Sequence, residues 1–334
     1  MRISRVLIAA LVIALAPVVA RAEVTELKIP LGAGGFGFLP LHMMQKYNLI
    51  EKYAEQAGLK VTVSWSNMGG PAVMNDALLS GSAHFISAGP PACLTLWDRT
   101  RGNIGVKAIA AISSMPMRLN ARAAQLKSLD QITGVQKIAV TAVKVSIPSI
   151  IMQMYAEKKY GRDHVFRFDP NTVTMAHPDA LIAVTSGNAE IVGHWASAPF
   201  DQRELKDPAI HTIMNSDDVM GGSTTFTMMS TTTRFQAENP KVTAAVLKAL
   251  KQAQKMIAED KRNAAAVLLE SMGGKGWNID ELVAILNDPG TKYTTKPENV
   301  LKYGTFMNEI GTLKNKPASL SDLFFDTPEV AGGN

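Results

Sequence analysis

One cysteine, Cys93, occurs in 334 residues. A single cysteine excludes any intrachain disulfide. It follows Pro91 in an apolar stretch with no base near it in sequence, which reads as a buried, inert thiol and not a nucleophile. The six histidines, at 42, 84, 164, 177, 194 and 211, lack H-x-x-x-H or any similar ligand spacing, so no metal site is indicated. No Gly-x-Ser-x-Gly turn or triad signature marks a catalytic centre. An excess of one charge is also missing. The chain has 34 basic and 29 acidic residues, and three of the arginines lie within the first 22 positions. What remains is close to balance and gives no argument for nucleic acid. Beyond residue 20 no segment approaches the length of a membrane span.

The chain begins "MRISRVLIAALVIALAPVVARA". Arg2 and Arg5 form a positive start, residues 6–20 are uncharged and apolar, and Pro17 interrupts them. Ala20 and Ala22 stand at the −3 and −1 positions of an A-x-A cleavage site. Residues 1–22 are therefore expected to be a cleavable signal peptide. Glu23 stands where a lipoprotein would need cysteine, so no membrane anchor is expected. The mature protein is expected free in the periplasm of a two-membrane cell.

After residue 23 strand-like and helix-like stretches alternate. "TELKIPL" (25–31), "KVTVSW" (60–65), "AHFISAG" (83–89) and "VKAIAAIS" (106–113) read as strands. Met43, Tyr47, Ile50, Ala54 and Ala57 form one amphipathic stripe closed by Gly58, which predicts a helix. Residues 69–81 read as a helix with Pro71 in its first turn. The pattern repeats with a strand at 138–143, a helix over 146–161 with Ser146 as N-cap, and a strand in "AEIVGHW". From about Lys241 the chain reads as mainly helical. Helices between strands imply crossovers and mostly parallel sheets, hence an α/β fold.

An internal echo sharpens this. "ALLSGSAHFISAGPP" (77–91) matches "AVTSGNAEIVGHWASAPF" (183–200) at an offset of 106 residues. Each has a helix end, Ser-Gly, a small polar residue, Ala, a strand and a Pro-containing loop. Two similar α/β lobes are expected.

"LGAGGFGFLP" (31–40) fits G-x-G-x-x-G at Gly32, Gly34 and Gly37. Three features oppose a dinucleotide turn. Phe38-Leu39-Pro40 extends the loop past the motif, the second strand ends "VSWSN" without the acidic residue such sites use, and the chain is expected to be exported. The loop reads instead as setting Phe36 and Phe38 at the mouth of a cleft. Strand-end loops of open α/β sheets collect ligands. Those at 32–40, 65–71, 87–91, 143–148 and 193–199 lie at strand ends, and three lead into helix N-termini, which suit anions.

The order of these stretches, from "LKIPLGAGGFGFLPLHMMQKYNLIEKYAEQAGLKVTVSW" through "GGPAVMNDALLSGSAHFISAGPPACL" to "LIAVTSGNAEIVGHWASAPF", resembles the solute-binding proteins of ABC importers in the nitrate/sulfonate/taurine group, relatives of thiamine-pyrimidine-precursor binders. The resemblance implies the two-lobed type II periplasmic-binding fold, with a hinge of two crossings near 113–117 and 221–225. It divides the chain into 23–115 (lobe 1), 116–220 (lobe 2) and 221–334 (return to lobe 1 and C-terminal helices). The family generally has Asp after each Ser-Gly turn. His84 and Glu190 stand there instead, which marks a divergent branch.

Ligand contacts are expected from Phe36 and Phe38, from Met68, Gly69 and Gly70, and from Gly89 and Pro90. Further contacts are expected from Met115 and Thr224 at the crossings, from Ser146, and from His194 and Trp195. Lys144 reads as a solvated loop charge. The expected function is non-catalytic capture of a small organic anion, a sulfonate or carboxylate, for an ABC permease driven by a separate ATPase. A monomer without cofactor, metal, nucleic acid or membrane anchor is expected. The alternatives are an enzyme like the thiamine-pyrimidine synthases, which the single cysteine and the signal peptide oppose, and a ligand-sensing subunit of a signalling system.

Overall fold

The computed structural model describes residues 22–334, apart from 33, 69, 123, 124, 188 and 275. The expected signal peptide, except Ala22, and Gly69 lie outside the described residues.

The first stretch runs β1 (Glu26–Pro30), α1 (Leu39–Lys46), α2 (Leu49–Gln56), β2 (Thr62–Ser66), α3 (Pro71–Leu79), β3 (Ile86–Ala88), α4 (Pro90–Thr100) and β4 (Val106–Ser114). The single helix predicted by the 43–57 stripe is two helices. Asn48 between them is left-handed, at φ 48, a conformation asparagine tolerates better than most residues. The apolar stripe survives the break, with Met43, Ile50 and Ala54 all buried.

The second stretch holds β5 (Arg118–Ala121), β6 (Lys137–Val140), α5 (Ile147–Tyr160), β7 (Thr172–Thr174), α6 (His177–Thr185), β8 (Ile191–Ala196), α7 (Phe200–Glu204), β9 (His211–Asn215) and α8 (Ser216–Met220). The third holds β10 (Thr225–Thr232), α9 (Thr233–Glu238), α10 (Pro240–Glu259), α11 (Lys261–Ser271), α12 (Ile279–Leu286), α13 (Val300–Glu309) and α14 (Leu320–Leu323). Helix α10 packs its apolar face on α1 and α2, so the C-terminal helices cover the first stretch.

β1 pairs with β2, and β10 lies between β3 and β4. The His84 N–H donates to the Lys28 carbonyl at 2.9 Å, tying the first pair to β3. The succession is then β2-β1-β3-β10-β4. The other sheet runs β7-β6-β8-β5-β9. The two orders correspond strand for strand. β1–β2, β6–β7 and β6–β8 are parallel, whereas β10 and β5 oppose their neighbours. β5 follows β4 of the first sheet after three residues. A chain arriving directly from the facing sheet has no crossover helix to turn it round.

The sequence echo is structural. α3 and α6 each have nine residues, start 106 positions apart, and end at Gly81 (φ 74) and Gly187 (φ 75). Both glycines hold the left-handed conformation that ends a helix. Among the described residues no helix is long and apolar enough to cross a membrane.

Candidate functional site

Loops from both sheets enclose a cavity of about 50 Å³. Phe38, Pro71, Met74, Ser87, Ala88, Gly89, Phe226 and Thr227 line it from the first sheet and its helices. Met117, Thr141, Val145, Ser146, Ile147, Pro148 and His177 line it from the second.

Four helices begin at this cavity. α3 contributes Pro71, α4 its N-cap Gly89, α5 its N-cap Ser146 with Ile147 and Pro148, and α6 its first residue, His177. None of the four N-caps (Gly70, Gly89, Ser146 and Ala176) makes a side-chain capping bond, and three of the four first turns contain no acidic residue. The first turn of a helix leaves N–H groups without intrahelical partners and carries the positive end of the dipole. Among the described residues no lysine or arginine lines the cavity. Positive potential there comes from backbone dipoles.

The hydroxyls divide by partner. Thr227 Oγ1 donates to the Gly37 carbonyl at 3.0 Å. Ser146 Oγ lies 3.2 Å from Ser149 Oγ, so the predicted N-cap residue caps by position and not by side chain. Ser87 Oγ is buried without a hydrogen-bond partner. A buried hydroxyl left unpaired is unfavourable, and Ser87 is among the residues lining the cavity.

The glycines of "LGAGGFGFLP" make room for rings. A Cβ on Gly32 would lie 2.1 Å from the Phe38 ring, and one on Gly37 would lie 2.1 Å from the Phe226 ring. The loop does not extend past the motif as predicted. Residues Phe36–Phe38 form a 3-10 turn that runs straight into α1. The space that a phosphate turn would leave for its ligand is filled by phenyl groups.

The two sheets' loops touch around the cavity. The Phe36 N–H donates to the Ala198 carbonyl at 3.1 Å. A Cβ on Gly70 would lie 2.7 Å from the Thr141 carbonyl oxygen, and one on Gly89 would lie 3.1 Å from Ile147 Cδ1.

Of the residues singled out in the sequence, Phe38, Gly89 and Ser146 line the cavity. Gly70 and Pro90 adjoin it as an N-cap and a first helical residue. Phe36 is fully buried beneath the loop, its carbonyl accepting from Tyr293 Oη at 3.0 Å. Met68 packs on the cluster of Met74, Leu78 and Ile86. Met115 and Thr224 are buried at the two crossings, and Met117 is the crossing methionine that reaches the cavity. Trp195 and His194 are fully buried on opposite faces of β8. Lys144 is exposed. The sequence reading missed Ser87, Thr141, His177 and Phe226. Ser87 lies within the echoed stretch 77–91 and His177 opens a helix with Pro at its second position, and those two signals could have found them.

His194 stands behind the cavity. His177 Nδ1 and His194 Nε2 are 2.8 Å apart, and His194 Nδ1 lies 2.5 Å from Glu204 Oε1. Asn120 Nδ2 donates to Glu204 Oε2 at 2.9 Å. Ser197 Oγ lies 3.2 Å from His177 Nε2, and Phe200 stacks on the His177 ring. Burial pushes the Glu204 carboxyl up to about 8 and His194 down to about 3, and it also lowers His177. The cause is common to all three: the charged form of each loses its hydration.

No protein-family model and no curated protein matches the sequence. Solved structures do match. The alkanesulfonate-binding protein SsuA from Xanthomonas axonopodis pv. citri, bound to MOPS, has a TM-score of 0.67 at 15% identity, covering 89% of this chain and 96% of its own. The periplasmic nitrate-binding protein NrtA from Synechocystis PCC 6803 has a TM-score of 0.66 at 16% identity, covering 90% of this chain and 84% of its own. A Candida albicans gene product with the generic periplasmic binding protein fold has a TM-score of 0.64 at 9% identity, covering 94% of this chain and 99% of its own.

Proposed function

The chain has the periplasmic binding protein fold, and from that premise we propose that it is the periplasmic solute receptor of an ABC importer. It captures a small organic anion between two lobes and hands it to a permease served by a separate ATPase. The observation that carries this reading is the convergence of four helix N-termini without side-chain caps on one cavity whose described lining includes no lysine or arginine. Such an arrangement holds an anion by backbone N–H groups and dipoles. Phe38, Met74, Met117 and Phe226 supply an apolar wall. A sulfonate or carboxylate on a short carbon chain fits both features. Two of the similar proteins are described as alkanesulfonate-binding and nitrate-binding, and this supports the anion class.

In this reading lobe 1 comprises 23–115 and 221–334, lobe 2 comprises 116–220, and the crossings near 113–117 and 221–225 form the hinge. Phe38, Gly89 and Ser146 touch the ligand. The protein acts as an exported monomer released from its signal peptide, without membrane anchor or catalysis.

Thermal-shift screening tests the reading, because a ligand of the native state raises stability by mass action. Short-chain sulfonates and carboxylates are expected to raise the melting temperature. If only uncharged pyrimidines or amines do so, the anion reading fails.

A further inference from the structure

We infer that the buried chain Ser197–His177–His194–Glu204 is a proton-loaded positioning device for the cavity. It reverses its hydrogen-bond direction when Glu204 takes up one proton, and the site captures its anion in the loaded direction. The inference rests on the anion-receptor reading and adds a proton to the captured species.

The geometry permits two registers. A neutral imidazole has one donor and one acceptor nitrogen, so the direction of one bond fixes the next. Every ring nitrogen of the two histidines is committed along the line. With Glu204 ionised, His194 Nδ1–H donates to it and His177 Nδ1–H donates to His194 Nε2. The Ser197 hydroxyl then donates to His177 Nε2. With Glu204 protonated, its O–H donates to His194 Nδ1, His194 Nε2–H donates to His177 Nδ1, and His177 Nε2–H donates to Ser197 Oγ. The second register holds one more proton than the first, and no ring becomes an imidazolium. Asn120 Nδ2 bonds the other Glu204 oxygen in both, so it anchors the carboxyl without selecting a register.

The surroundings place the added proton on Glu204. On α7, Asp201 pairs with Arg118 of β5, whose other terminal nitrogen is 3.8 Å from Asp288. From β9, the Thr212 hydroxyl bonds Asn120 Oδ1 at 2.7 Å. β6 brings Ala139 opposite His194, while its Lys137 bonds the Pro170 carbonyl. α6 contributes His177 itself. Among the described residues no cation pairs with Glu204, and Asp201 adds like charge. Burial accordingly holds its carboxyl up to about 8.

His177 is the titratable side chain lining the cavity, at the first position of α6. In the loaded register both imidazole N–H dipoles point away from Glu204 toward His177 and Ser197, Glu204 carries no charge to oppose an anion, and the Asp201 carboxylate is paired with Arg118. In the ionised register the dipoles are reversed and a carboxylate lies behind them. His194 and Glu204 act through His177.

Two measurements decide the matter. The first reads ring-nitrogen NMR signals of the free mature protein from pH 6 to pH 9.5. His177 and His194 are expected to change together from Nε2–H to Nδ1–H with a shared midpoint near 8. Glu204→Gln is expected to hold both at Nε2–H, because its amide N–H donates to His194 as the protonated carboxyl does. Unchanged tautomers, separate midpoints, or switching in Glu204→Gln overturns the inference. The second uses calorimetry with 1-butanesulfonate, which carries no titratable proton in this range. Wild-type affinity is expected to fall about tenfold between pH 7 and pH 9, with proton uptake on binding that approaches one proton at pH 9, and to stay flat in Glu204→Gln. Equal wild-type affinity at both pH values overturns the inference and leaves the anion receptor standing. Failure of sulfonates and carboxylates to bind at any pH overturns the receptor reading, and the NMR result still decides whether the chain reverses.

Discussion

Gly70 and Thr141 face each other across the cleft so closely that a Cβ on the glycine would lie 2.7 Å from the threonine carbonyl oxygen. Gly70 has φ −67 and ψ −178, a conformation any residue adopts. The requirement for glycine there is steric and belongs to the contact between the lobes.

Gly70→Ala should therefore leave each lobe intact and prevent full closure. Anion affinity should fall by about tenfold or more, in line with the loss of a positioned closed state. The melting temperature of the free protein should change little. Calorimetry and small-angle scattering with ligand would check this. Wild-type affinity and an unchanged radius in the variant would remove the contact from the closure argument.

Phe36 and Phe38 should separate. Phe36 is fully buried, so Phe36→Ala should destabilise by about 3–5 kcal/mol and leave the affinity of the folded fraction nearly unchanged. Phe38 lines the cavity, so Phe38→Leu should lower affinity severalfold with a melting temperature near wild type. Denaturation and binding curves on both variants test the distinction. Equal affinity losses would mean that both rings serve the site.

Ser87→Ala removes a buried hydroxyl that has no partner. Without ligand the substitution should be neutral or slightly stabilising, since no bond is lost. With a bound anion it should reduce affinity roughly 5- to 10-fold, the worth of about one hydrogen bond. Reduced stability without any affinity change would show that the hydroxyl serves packing alone.

Stability should peak near pH 6.5. His42 is lowered to about 4 and His194 to about 3 by burial, and His177 is lowered likewise, all from 6.5. Below pH 6.5 the unfolded chain binds more protons at these sites, so stability rises with pH. Buried carboxyls act in the opposite sense. Asp201 is raised from 3.8 to about 6 and Glu204 from 4.5 to about 8. Each adds stability below its unfolded pKa that is lost as pH rises through the folded one. The lowered histidines, His84 among them, outweigh the raised acids up to about 6.5, and above it Glu204 dominates a decline toward pH 8. Chemical denaturation from pH 5 to pH 9 would show the maximum, and Glu204→Gln should flatten its upper side. A wild-type curve still rising at pH 8 would contradict the assignment.

The sequence by itself determined the alternation of strands and helices, because periodicities of two and near 3.6 residues and glycine stops are local signals. It also determined the pairing of "ALLSG" with "AVTSG", which the matched helices α3 and α6 embody. It pointed to strand-end loops and helix starts as the place for a ligand, and Phe38, Gly89 and Ser146 lie there. The tertiary structure decided the rest. Alternation along β8 puts His194 and Trp195 on opposite faces, and burial on both faces takes each from solvent. Whether a histidine lines a cavity or stands one hydrogen bond behind it depends on which helix packs over the strand, here α6 with His177. The glycines of "LGAGGFGFLP" read as a nucleotide turn in one dimension. In three dimensions the rings of Phe38 and Phe226, the second nearly two hundred residues away, occupy the space those glycines leave. Local spacing sets backbone conformation, whereas only packing between distant segments sets what fills the room it makes.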